Sequence, residues 1–323
     1  MTVPQHPAPS TQNPRPFRFG VNLRAADSRA EWVEKAKHVE DLGFSTLLVP
    51  DHLAELLPPL PALVAAAGAT STVRIGTFVL NNDFRHPVLL ARDAATLDLL
   101  SDGRFELGIG AGHMQSEYTE AGIPFDPAPI RFERLGESIR ILKSLLAGEE
   151  TTLDGRHYRV TGHRIYPLPA QQPRPPILIG GNGKRLLALA AREADVVGFT
   201  GLAFPKGATE VDVSGFRPER VDERVAWVRS EAGERCADLE LNALVQRVVV
   251  TDDRRQAAEE LVARWPDLTV EDVLRTPYLL IGTVDEMVES LLECRRRWGI
   301  SYVVVHEWSL DAIVPVVARL AGT

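Results

Sequence analysis

Three histidines of this chain stand directly after apolar runs: His52 follows residues 45–51, His113 follows Gly-Ile-Gly-Ala-Gly, and His306 follows Tyr302-Val303-Val304-Val305. An imidazole titrates near neutrality, so each could give or take a proton, the alternative being a hydrogen-bonded side chain with no chemical role. A fourth place is Gly180-Gly181-Asn182-Gly183-Lys184-Arg185, between an apolar run and a helical one. Glycines allow close backbone approach to an anion, a helix start offers unpaired N–H groups, and Lys184 and Arg185 add positive charge. The segment therefore suits a phosphate, with a plain β-to-α turn as the alternative. No His-x-His or paired helical histidines suggest a metal, so none is expected. No Gly-x-Ser-x-Gly turn occurs, and Cys236 and Cys294 lie away from strand ends, which argues against a nucleophilic enzyme. Asp83, Glu117, Glu120 and Asp126 are scattered loop acids from which no catalytic pair can be inferred.

Placing those residues takes a repeated unit, plainest over 84–112 and the strand before it. A β-branched run at 73–80 leads through a polar loop to a helix that starts after Pro87 and stops at Ser101-Asp102-Gly103. A second apolar strand follows, ending at Gly112. Both strands are apolar on both faces, which predicts a parallel sheet covered by helices. Further strands are predicted at 17–23, 45–50, 176–180, 195–200, within 239–250 and at 302–305, with helices between them. About eight strands alternating with helices predict an α/β fold, a (β/α)₈ TIM barrel, with a doubly wound open sheet as the alternative. Two insertions interrupt it: a hairpin and proline-rich return over 151–176 after the fourth helix, and a glycine-containing loop over 201–216 after strand six, which is expected to act as a lid. In such a barrel, function sits at the C-terminal strand ends, where the three histidines and the glycine loop fall.

The whole chain sets bounds on this. It has 323 residues and a net charge of −8, so no broad basic field exists to hold nucleic acid or an acidic membrane. Two cysteines without metal or disulfide spacing suit a reducing compartment. Residues 1–16 are rich in Pro, Gln, Ser and Thr and lack a signal peptide's apolar core. They are expected to form a disordered tail on a cytoplasmic protein whose barrel domain is 17–323.

The stretches Gly76-Thr77-Phe78-Val79-Leu80, Phe84-Arg85-His86-Pro87, Ala95-Thr96-Leu97-Asp98 and Gly103–Gly112 resemble the luciferase-like monooxygenase superfamily, in particular its deazaflavin (coenzyme F420) oxidoreductases. The resemblance implies a barrel that holds F420, or FMN as the alternative, at its mouth and passes a hydride to or from a small organic substrate. It implies a strand-three bulge with a non-prolyl cis peptide at Phe78 and Val79, behind the ring. Asp51-His52 is similar to the pair that closes strand two in F420-dependent sugar-phosphate dehydrogenases, implying a cofactor contact at Asp51 and proton transfer at His52. Thr77, Asn81, Gly112 and Ser116 fall at implied cofactor positions, and Gly180, Gly181, Asn182, Gly183, Lys184 and Arg185 at the phosphate loop. Where those dehydrogenases carry a glutamate this chain has His113, and their tryptophan after Asp-His is missing from 53–57. The sugar-phosphate substrate is therefore not carried over, and His113 becomes a second candidate acid or base. A non-catalytic cofactor-binding protein is the alternative of another class, and a homodimer is expected.

Overall fold

A computed structural model describes residues 15–203 and 211–323. Most of the expected tail and the centre of the expected lid thus lie outside the described residues. Eight parallel strands close into a barrel: β1 (Arg18–Asn22), β2 (Thr46–Val49), β3 (Arg74–Thr77, resuming as Leu80–Asn81), β4 (Phe105–Gly110), β5 (Ile177–Gly180), β6 (Val196–Phe199), β7 (Glu240–Val245) and β8 (Ile300–His306). Each pairs with the next, and β8 pairs with β1 in a register that sets His306 opposite Asn22. The helices that return the chain are α1 (Arg29–Asp41), α2 (Pro59–Ala69), α3 (Pro87–Leu100), α4 (Ala128–Leu146), α5 (Lys184–Glu193), α6 (Pro218–Ala232), α7 (Val284–Trp298) and α8 (Leu310–Leu320). The predicted (β/α)₈ barrel is the fold found, and the open sheet is excluded by the β8–β1 and β3–β4 pairings.

The strand period of two divides each strand between two cores. Val21, Leu47, Ile75, Leu107, Ile179, Val197, Ala243 and Val303 face outward into one continuous core beneath the helices. Leu48, Phe78, Leu178, Val196, Leu244, Tyr302 and Val304 face inward and pack with one another in the lumen. Helix boundaries follow local chemistry. Thr283 and Glu286 form a reciprocal capping box at the start of α7, which ends at Gly299 in the left-handed conformation, as the residue types predict.

Both predicted insertions are present, together with a third, a segment whose sequence reads as a helix over 254–265, a helical stretch from Val270 and a short apolar piece over 278–281. The residue pattern predicts hairpin strands at 151–153 and 157–160, and the structure pairs Thr151–Asp154 with Arg159–His163, so the second strand begins later than expected. The cause is Glu137 of α4, whose carboxylate accepts the N–H groups of Arg156, His157 and Tyr158 at 2.8–3.0 Å and holds that stretch as a turn. After strand six, Ala203 and Asp212 pair across the loop. The expected seventh strand over 239–250 is broken at Gln246. Its second half, Arg247–Val250, leaves the barrel and pairs in parallel with Leu279–Gly282, and two short helices, Arg254–Arg264 and Val270–Arg275, lie between those strands.

The lumen is plugged at its N-terminal end by charge. Glu106 of β4 accepts from Arg18 of β1 at 2.7 Å and from Arg74 of β3, Arg18 also bonds Glu240 of β7 at 2.7 Å, and its guanidinium lies 4.1 Å from the Tyr302 ring centroid. Burial alone would raise the Glu106 pKa, but the two arginines outweigh it and hold the carboxyl below its usual range. Removing one member of a buried ionic group strands the others. Glu106→Ala is therefore expected to destabilise the fold by about 3–5 kcal/mol. A urea unfolding midpoint close to that of the parent would contradict this.

Candidate active site

The mouth of the barrel is shaped by a break in β3. The strand runs to Thr77, the Phe78–Val79 peptide is cis, and pairing with β4 resumes at Leu80 opposite Ile109. This is the cis bulge that the family resemblance implies. The Thr77 hydroxyl bridges the gap, accepting from Gly108 N at 2.9 Å and donating to Gly108 O at 2.7 Å. Thr77 is thus buried in the ladder, and its hydroxyl is fully used there. The glycines of β4 follow from the bulge. A Cβ on Gly108 would stand 1.9 Å from Thr77 O, and one on Gly110 would stand 2.9 Å from a Val79 methyl. With Gly180 and Gly198 at inward positions of β5 and β6, one wall of the mouth is built of glycines, and the Val79 methyls pack over Gly108, Gly110 and Gly180.

The loops above that wall are tied together by Asp51 and Asn81. Arg85 grips Asp51 with both guanidinium nitrogens, one of them 3.0 Å from Oδ1, and Asn81 N donates to Oδ2 at 2.9 Å. The Asn81 side chain accepts from the Tyr118 hydroxyl at 2.9 Å and from Asp83 N at 3.1 Å. Gly112 sits between them at φ 71°, and a Cβ there would fall 2.0 Å from the Tyr118 oxygen. These contacts make Asp51, Asn81 and Gly112 the frame of the mouth. The family resemblance implies cofactor contacts at these positions, and the sequence shows nothing of this joinery.

His52 leaves the end of β2 and meets Glu117, with Nδ1 and Oε1 2.8 Å apart. Glu117 belongs to a short helix, Gln115–Glu120, in the loop after β4 and is buried, while Ser116 beside it is exposed. The His113 ring stands edge-on to His52 with centroids 5.4 Å apart, at a lip exposed on one side. Burial of its inner side, with His52 and Arg131 nearby, pushes the His113 pKa down to about 4, so His113 is neutral at physiological pH. A carboxylate that receives one imidazole N–H fixes the tautomer and leaves the other nitrogen for proton exchange. His52 has that arrangement with Glu117. In the sequence Glu117 is one scattered loop acid among several, and only the fold pairs it.

The glycine loop leads from β5 into α5. Gly181 N bonds Gly198 O at 3.0 Å. The Asn182 side chain donates to Thr200 Oγ1 at 2.8 Å and Leu202 O at 2.7 Å and accepts from Thr200 N and Gly201 N. Asn182 is therefore a brace between two loops. Gly183 is the N-cap of α5, with no side chain capping the helix and open space where a Cβ would be. Lys184 Nζ lies 5.8 Å from the Trp227 ring centroid, and Arg185 lines a 490 Å³ groove between α4 and α5 with Arg140, Arg156 and Arg192. The two cations thus stand beside the loop on its outer side.

The family profile described as Luciferase-like monooxygenase matches residues 10–269. The chain belongs to this family. Among curated relatives, this luciferase-like protein is 31% identical over 301 residues to an F420-dependent glucose-6-phosphate dehydrogenase of Nakamurella multipartita, covering 89% of this chain and 84% of that one. A relative of the same description from Microbacterium testaceum is 36% identical over 189 residues, and there the match spans about half of each protein, 56% and 55%. The F420-dependent tetrahydromethanopterin reductase of Methanopyrus kandleri superposes with a TM-score of 0.75 at 20% identity, covering 95% and 98% of the two chains. A riboflavin lyase solved with modified FMN superposes at 0.74 and 15% identity, covering 95% and 93%. These likenesses establish the fold, and the family makes this luciferase-like chain an oxidoreductase. Among the described residues, no helix is long and apolar enough to cross a membrane.

One consequence of the mouth's burial is measurable. His306, buried at the end of β8, has its pKa pushed down to about 4 from an ordinary 6.5 by burial and by Arg24. The unfolded chain binds this proton first, so the contribution to stability is complete above pH 6.5 and is lost as pH falls toward 4. The stability difference between the parent and His306→Phe is expected to shrink across that window in urea titrations, and a difference independent of pH would contradict the assignment.

Proposed function

We propose that this chain is an F420-dependent oxidoreductase that moves a hydride between the deazaflavin and a small organic substrate at the C-terminal mouth of the barrel. The observation that carries the proposal is the His52–Glu117 pair beside the glycine wall, 2.8 Å apart and partly or fully shielded from solvent. Hydride transfer to or from a C=O, C=N or C=C bond needs a proton moved nearby, and this pair can hold one at His52. The curated relatives described as F420-dependent support the cofactor assignment.

The residues present fit that cofactor. Gly108, Gly110 and Gly180 let the Phe78–Val79 bulge pack flat over β4 and β5, and that bulge is the surface proposed to back a planar ring. The uncapped start of α5 at Gly183 offers N–H groups to a phosphate. Lys184 and Arg185 add positive charge at the first turn of α5, on the outer side of the loop. When bound, the deazaflavin supplies a two-electron hydride donor or acceptor, and the rest is the protein's part. Glu117 orients His52 through the bond to its Nδ1. Arg85 and Asn81 N hold Asp51, which keeps the strand ends in place. Phe78, Leu178, Leu244 and Val304 close the lumen beneath the mouth to water.

Glucose 6-phosphate is not proposed as the substrate, because His113 replaces the glutamate expected of those dehydrogenases. The test is anaerobic turnover of reduced and oxidised F420 against a panel of alcohols, aldehydes and enones. Oxygen-independent change in deazaflavin absorbance with at least one compound is expected. FMN-dependent oxygen uptake with no F420 reaction would overturn the proposal.

A further inference from the structure

The wall opposite the glycines is polar and has its own architecture. In the closed barrel, β7, β8 and β1 face β3, β4 and β5 across the lumen. Val304 and Leu244 point inward, so the strand period also turns His306, Gln246 and Asn22 toward the mouth. His306 Nε2 lies 3.2 Å from Gln246 Oε1, and Gln246 Nε2 lies 3.2 Å from Thr200 O and 3.5 Å from Leu244 O. Two carbonyl oxygens can only accept, so the Gln246 amide nitrogen must face them and its oxygen must face His306. The His306 proton is therefore on Nε2, and Nδ1 carries a lone pair.

That lone pair has no hydrogen-bond partner among the described residues, and neither has Asn22 Oδ1, its cross-strand neighbour; both atoms are buried. The ring is held against rotation. Trp308 stacks on it with centroids 4.2 Å apart and planes 14° from parallel, Arg24 lies 5.6 Å from the Trp308 centroid, and Glu307 accepts Arg24 N at 3.0 Å while pairing with Lys35 at 2.9 Å. Two buried acceptors on cross-strand partner residues, one of them on the stacked ring, leave a hydrogen-bond deficit unless something donates to them.

We propose that His306 Nδ1, with its tautomer set by Gln246, is a specificity-determining acceptor that reads a hydroxyl or N–H group of an uncharged portion of the substrate. The inference rests on the proposed function in placing the cofactor on the glycine wall and hence the substrate on this one. A phosphate dianion or a carboxylate brings no proton to this place and meets lone pairs there. The low basicity of His306, which stays neutral at physiological pH, agrees with a role as acceptor.

The test uses the full chain labelled with ¹⁵N-histidine, with and without F420, and matched probes: cyclohexanol against cyclohexyl methyl ether, benzyl alcohol against benzyl methyl ether, and inorganic phosphate. The free protein should show His306 as the Nε2–H tautomer. The alcohols should move its Nδ1 resonance toward the hydrogen-bonded position, and the ethers and phosphate should not. His306→Phe should reduce the alcohol-over-ether preference about tenfold or more, and His306→Gln, which keeps an acceptor, should restore part of it. An Nδ1–H tautomer, alcohol and ether shifts of equal size, or no alcohol-dependent shift would overturn the proposal. F420 fluorescence is read in the same samples. Failure of F420 to bind with the alcohol preference intact would sink the cofactor assignment alone.

Discussion

His52→Asn is expected to lower kcat by a factor of about 10²–10⁴ while leaving F420 affinity within about threefold of the parent, because general acid–base groups contribute on that scale. Asparagine retains the size and polarity of the position and can still reach Glu117, so the frame held by Asp51, Arg85 and Asn81 stays as it is. What is lost is a group that titrates. Glu117→Gln should act in the same direction with a smaller effect. It keeps a hydrogen bond to Nδ1 and replaces the carboxylate that orients the ring with a neutral amide. Steady-state kinetics across pH 5–9 would show both. If His113→Asn abolished turnover and His52→Asn did not, the roles of the two histidines would be exchanged. His113 would then supply the proton from a ring whose pKa lies near 4.

Gly183→Asp is expected to weaken F420 binding by about 100-fold or more, on the scale of a displaced phosphate with its charge-assisted bonds. The fold should gain from the same change. Nothing lies within 4 Å of where a Cβ would stand at this position, the backbone is at φ −82° and ψ 143°, and no side chain caps α5. Aspartate is a good N-cap, worth at best a few tenths of a kcal/mol over glycine, and its charge suits the helix start. The two effects have opposite signs, which separates them from general damage. Isothermal titration and a thermal melt on one sample give both. Unchanged F420 affinity with a raised melting temperature would show that the start of α5 holds no phosphate.

The barrel is legible in the sequence because its signals are local. Apolar runs of strand length, the proline before α3 and the glycine after α7 each act within a few residues, and their repetition leaves few folds possible. The place of the site is legible for the same reason, since function in such a barrel sits just beyond the strand ends. The joinery is not. Glu117 lies 65 residues from His52, and nothing in a loop acid's surroundings says which imidazole it will meet. Gln246 reads as an interior residue of a long strand. Its importance comes from the strand leaving the barrel at that point to pair with Leu279–Gly282, a pairing set by tertiary packing. Asn182 and Thr77, where the family resemblance implies cofactor contacts, also bond their neighbours, which the sequence does not show. A side chain's partners depend on which strands lie side by side, and a sequence motif carries no information about that.

The central claim is tested most directly by titrating the purified protein with F420 and separately with FMN, following ligand fluorescence. Saturable micromolar binding of F420, with FMN bound at least tenfold more weakly, is the expected result, since the deazaflavin tail adds anions that the loop at Gly183 and Lys184 can hold. Tight binding of FMN with no binding of F420 would contradict the account and make this chain an oxygen-using member of its family.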